Sequence, residues 1–101
     1  MGEGADMVVP THGFRTIEYS QTHDFASIGT GGYAFVDFTV PGAALGDFAL
    51  VSSTISVQGL QATAAVISAN TVRINLQNLT GSPVDFASTT WYVRVWKRLY
   101  D

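Results

Sequence analysis

Leu60-Gln61-Ala62-Thr63-Ala64-Ala65-Val66-Ile67-Ser68-Ala69-Asn70-Thr71-Val72-Arg73-Ile74-Asn75-Leu76-Gln77-Asn78-Leu79 sets two arms of similar length around one turn. Asn accepts the left-handed backbone that a two-residue connection demands, so Ala69-Asn70 predicts a tight β-hairpin. In the second arm Val72, Ile74 and Leu76 alternate with Arg73, Asn75 and Gln77. A period of two buries one face of a strand and leaves the other wet. Gln61 to Val66 is alanine-rich and leans toward helix when taken alone. Inside a hairpin arm it is assigned to strand.

The same grammar extends outward in both directions. Tyr33 to Val40 places Ala34, Val36, Phe38 and Val40 on one side and Tyr33, Phe35, Asp37 and Thr39 on the other, and Pro41-Gly42 stops it. Gly46-Asp47 leads into Phe48-Ala49-Leu50-Val51, a run short enough for a buried strand. Ser52 to Gly59 reads as a polar connection in which Ile55 and Val57 leave room for a brief edge strand. Beyond Gly81-Ser82-Pro83, Thr89 to Leu99 forms a last strand, with Trp91, Val93 and Val95 opposite Tyr92, Arg94 and Trp96. Toward the N-terminus Phe14, Thr16 and Glu18 alternate with Arg15, Ile17 and Tyr19, and the pattern does not choose the buried side. Gln21 to Gly32 reads as a loop ending in Gly29-Thr30-Gly31-Gly32, a turn or bulge. The expected fold is all-β: six or seven strands in a single small β-sandwich or jelly roll over residues 14–101, preceded by an extended N-terminal arm over 1–13.

Composition narrows the function. The 101 residues are 47% hydrophobic and only 13% charged. Such a chain folds, yet carries about half the charge of an average soluble domain, which points to burial in an assembly. The net charge of −3, with four of the five cations (Arg73, Arg94, Lys97, Arg98) in the last third, offers no overall basic balance for nucleic acid. No stretch reaches the ~18 apolar residues of a membrane span, and Met1 to Pro10 lacks the basic start and apolar core of a signal peptide. Cysteine is absent, so disulfides, thiolate metal sites and cysteine nucleophiles are excluded together.

Few residues carry chemistry in a recognisable pattern. His12, His23 and Asp24 are the conventional metal-ligand set, but their spacing matches no tight motif and no metal or other cofactor is expected. No serine sits in a G-x-S-x-G elbow, and Gly29 to Gly32 lacks the Lys-Ser/Thr ending of a phosphate loop. Asp37 and Asp47, read as lying near the ends of adjacent strands, are a carboxylate pair that glycoside hydrolysis would need, although acids in such places more often cap turns. Asn78-Leu79-Thr80 matches the N-glycosylation acceptor pattern. The C-terminal strand stands out instead. Trp91 belongs to the core, whereas Tyr92, Arg94, Trp96, Arg98 and Tyr100 project together from the opposite side. Aromatics mixed with Arg are what protein interfaces concentrate at their centres, and a sugar-stacking platform is the competing use of the same residues. The chain is therefore read as working by binding and assembly, not catalysis.

Val40-Pro41-Gly42-Ala43-Ala44-Leu45-Gly46-Asp47-Phe48-Ala49-Leu50-Val51-Ser52, then Ala65-Val66-Ile67-Ser68-Ala69-Asn70-Thr71-Val72-Arg73-Ile74, then Asn78-Leu79-Thr80-Gly81 before the Trp91 to Val95 strand, succeed one another in fixed order. Together they resemble a module of tailed-bacteriophage virion proteins, including capsid decoration (cement) proteins and fibre-like appendages, over a little more than half the chain. The resemblance implies a small β-sandwich or jelly roll that forms a homotrimer on the virion's outer capsid surface, with the major capsid protein as partner. It implies no catalytic residues. With no shaft or separate tip beyond the domain, the fibre version is disfavoured. The alternative is a carbohydrate-binding or adhesin-like module of a tail appendage, in which Tyr92 and Trp96 stack on sugars. On the cement reading the arm, Met1 to Gly13, lies across a neighbouring subunit.

Overall fold

The structure is a computed structural model that describes residues 15–98. The arm, His12, Phe14 and Tyr100 lie outside the described residues. Among the described residues six strands form: β1 (Thr16–His23), β2 (Tyr33–Thr39), β3 (Phe48–Ser53), β4 (Gln61–Ser68), β5 (Thr71–Gln77) and β6 (Thr89–Trp96). They make two three-stranded antiparallel sheets, ordered β1-β6-β3 and β2-β5-β4, packed together as a small β-sandwich.

The hairpin that starts from Ala69-Asn70 is β4-β5, and Asn70 has a φ of 62°. It is the one connection that stays within a sheet; every other step of the chain crosses to the opposite layer. Sheet pairing is therefore non-local except at β4-β5. Val72, Ile74 and Leu76 of β5 meet Trp91, Val93 and Val95 of β6 as the buried centre. On the flanking strands several inward residues, Ile17, Tyr19, Val36 and Val51 among them, are only half-buried, because those strands lie at sheet edges, whereas Phe38 of β2 is fully buried. Tyr19 on β1 reaches Phe38 on β2, with ring centroids 5.9 Å apart, and so ties the two layers along one side.

β1 extends further than the expected loop at Gln21. Gln21, Thr22 and His23 continue the ladder opposite Trp91, Thr90 and Thr89. Length decides this: β6 offers eight consecutive partners, and a polar strand suffices where only the outer side is solvated. The undecided side of β1 resolves with Ile17 and Tyr19 inward. Ile55 and Val57 form no strand; β3 ends at Ser53, whose hydroxyl accepts from the Ile55 amide.

One end of the sandwich is closed by the Pro41 to Asp47 corner. The Asn70 carbonyl accepts from Val40 N–H, its N–H donates to the Ala43 carbonyl, and its Oδ1 accepts from Gly42 N–H at 2.9 Å. The hairpin tip thus holds the corner that leads into β3. Gly46 sits at φ 95°, and a Cβ there would come within 2.6 Å of the Arg98 guanidinium. Only glycine meets both demands.

Candidate binding face

Pleating places Thr16, Glu18, Ser20 and Thr22 of β1, Thr90, Tyr92, Arg94 and Trp96 of β6, and Phe48, Leu50 and Ser52 of β3 on the outer side of one sheet. Register turns these into rows. Thr16, Trp96 and Phe48 lie abreast; so do Glu18, Arg94 and Leu50, and then Ser20, Tyr92 and Ser52. Arg94 donates to the Glu18 carboxylate, and its guanidinium lies 5.9 Å from the Trp96 ring centre. Phe48, Leu50 and Tyr92 are each at least half exposed. Around Tyr92 and Arg94 the surface dips into an open depression of about 510 Å³.

Of the residues nominated from the sequence, Tyr92, Arg94 and Trp96 share this face. Arg98 follows the end of β6: its N–H donates to Asp47 Oδ1 at 2.9 Å and its guanidinium lies against Gly46 of the corner. The opposite sheet carries a second face that the interface reading passed over, although the alternation of β2 had put Tyr33 and Phe35 on its outer side. Tyr33 is 68% exposed, and Arg73 lies 4.1 Å from the Phe35 ring centre while clamping Asp37 through Nε at 2.8 Å and Nη2 at 3.0 Å. The signal available was this aromatic pair beside an Asp-Arg match across β2 and β5.

No family model, no curated protein and no solved structure matches this chain.

The two carboxylates that glycoside chemistry would need are separated by the fold. Asp37 is on β2 and Asp47 precedes β3, strands of different sheets and not neighbours. Each is already engaged. Hydrogen bonding to Arg73, helped by its charge, lowers the Asp37 pKa below the ordinary carboxylate value. Asp47 is buried, which by itself raises its pKa, but the Arg98 N–H, the Lys97 ammonium at 2.5 Å and the Ala44 N–H outweigh that and hold it below the ordinary value. His23 packs edge-on against Phe25 at 4.6 Å, and no group of three metal-binding side chains occurs among the described residues.

A folded-state pKa below the unfolded one gives stability that is present above the unfolded carboxyl pKa, near ~3.9, and is lost as pH falls through the folded value. Urea midpoints of the wild type should therefore drop as pH is taken from 6 toward 3, using about those limits. Asp47→Asn should be less stable at the upper end and respond less to pH. An equal pH response in both proteins would remove Asp47 from this role.

Asn78, in the glycosylation pattern, is fully buried. Its Nδ2 donates to the Ile28 carbonyl at 2.8 Å and to the Ser82 carbonyl at 3.0 Å, while its Oδ1 accepts from the Thr80 N–H and hydroxyl. Both amide hydrogens are used, so in the folded chain this nitrogen is closed to a glycosyl donor. Asn78 pins the 28–32 loop against the turn after β5, next to the Ile28–Val84 bridge.

Proposed function

We propose that this chain is a non-catalytic virion structural protein of the capsid decoration type, which forms a homotrimer and binds the lattice of a major capsid protein. The observation that carries the binding and assembly part is the pair of outer faces, each with exposed aromatic side chains beside an arginine neutralised by its own carboxylate. A lone domain gains nothing by holding Tyr33 and Phe35 in water, whereas a partner surface recovers that apolar area. The capsid part rests on the sequence resemblance.

We assign attachment to the β2-β5-β4 face. There the Arg73 guanidinium is stacked on Phe35 and fixed by two bonds to Asp37, so a partner meets a rigid aromatic-arginine patch with little rotamer freedom left to lose. This leaves the Tyr92, Arg94 and Trp96 face turned to the medium. In solution the chain should scatter light as a trimer of 10.8 kDa subunits. Added to purified particles that lack it, it should bind in a fixed ratio to the major capsid protein. The double variant Tyr33→Ala/Phe35→Ala should keep the fold, since both rings are exposed, and lose most of that occupancy. A monomer at all concentrations that leaves particles bare, or full occupancy by the double variant, would defeat the reading.

A further inference from the structure

We infer that the depression on the β1-β6-β3 face is a binding site for a neutral oligosaccharide. This goes beyond the virion reading and stands without it. The depression is built around Tyr92, whose direct cross-strand neighbours are Ser20 and Ser52. Serine is too short to cover an aromatic ring, and Tyr92 remains half exposed between them. One row away, Thr22 and Thr90 add a pair of hydroxyls 3.2 Å apart, and on the other side stand Glu18 and Arg94. A ring with hydroxyls on both flanks matches a pyranose, which has an apolar C–H face and a rim of hydroxyls that donate and accept.

Charge decides between ligand classes. Glu18 and Arg94 neutralise each other, so among the described residues of its three strands the face has no unbalanced cation to hold a phosphate, sulfate or carboxylate group. The pair still presents polar atoms at its rim, where carboxylate and guanidinium can share hydroxyls of an uncharged ligand. At about 510 Å³ the depression falls within the ~300–1,000 Å³ of small-ligand pockets, enough for more than one sugar ring.

The full chain is screened on an immobilised array of neutral and anionic oligosaccharides, and the best neutral binder is titrated while tryptophan fluorescence and backbone amide shifts are followed. Trp96 on the face is half-buried and Trp91 is in the core, so the fluorescence change should disappear in Trp96→Phe. Shifts should centre on Ser20, Ser52 and Tyr92. Tyr92→Ala should weaken binding by about tenfold or more, while Tyr92→Phe, which keeps the ring, should stay within about threefold. Ser52→Glu, which puts bulk and charge into the depression, gives a second loss that does not depend on removing the ring. Binding only to anionic glycans, no neutral glycan bound by the folded chain, or a neutral binder indifferent to both Tyr92→Ala and Ser52→Glu would overturn the site. Capture of a protein partner through Tyr92 in place of any glycan would overturn it too. The attachment variants at Tyr33 and Phe35 lie on the opposite sheet, so this proposal and the virion reading fail separately.

Discussion

Asn78→Asp is expected to destabilise the fold by about 3–5 kcal/mol at neutral pH, a large part of the ~5–15 kcal/mol that holds a domain of this size. The substitution keeps the shape and reverses the chemistry. Where Nδ2 donates to the Ile28 and Ser82 carbonyls, a carboxylate oxygen would face two acceptors at 2.8 and 3.0 Å, without water to separate them. The Ile28 and Ser82 carbonyls each lose one donor, keeping the Val84 N–H and the Thr80 hydroxyl, and a buried charge gains none. The Thr80 N–H and hydroxyl still donate to the other oxygen, which limits the loss but does not offset it. Such a carboxyl favours its protonated form, which can donate to one of the carbonyls. The gap between variant and wild type in urea midpoint should therefore be widest at pH 7 and narrow toward pH 4, taking roughly those values to bracket the titration. A variant with the wild-type midpoint at pH 7 would show that Asn78 pins nothing.

Trp91→Ala should cost a similar ~3–5 kcal/mol, for an apolar reason. Trp91 is fully buried, with Phe25 and Phe86 edge-on to it at centroid distances of 5.5 and 6.1 Å. Its Nε1 has no hydrogen-bond partner among the described residues, so the side chain contributes volume and ring contacts, not polar pairing. Trp91→Phe should accordingly recover much of the loss, since it gives up an unpaired buried N–H along with part of the ring. Tyr92→Ala, one residue on, should cost under about 1 kcal/mol because its ring lies outside. Thermal or urea unfolding of the three variants checks the order. Comparable losses for Trp91→Ala and Tyr92→Ala would contradict the assignment of the two faces of β6.

Features that depend on near neighbours in the chain were legible from the residues alone. The turn at Ala69-Asn70 and the inward sets Val72-Ile74-Leu76, Ala34-Val36-Phe38 and Trp91-Val93-Val95 follow from backbone preference and period-two alternation, both local, and the structure keeps all of them. The stop at Pro41-Gly42 was legible for the same reason. Which strands become neighbours was decided only in the tertiary structure, because every connection but β4-β5 crosses between layers. That is why Asp37 and Asp47 were read as lying near the ends of adjacent strands and lie in different sheets, and why nothing local placed Arg98 beside Gly46 and Asp47. The extension of β1 to His23 likewise needed β6 alongside, since a polar segment carries no signal of its own. The burial of Asn78 within an acceptor pattern was not legible, because its two carbonyl partners, Ile28 and Ser82, come from separate turns. The row of Ser20, Tyr92 and Ser52 joins strands from the start, the end and the middle of the chain, and only cross-strand register could bring those hydroxyls to the two sides of one ring.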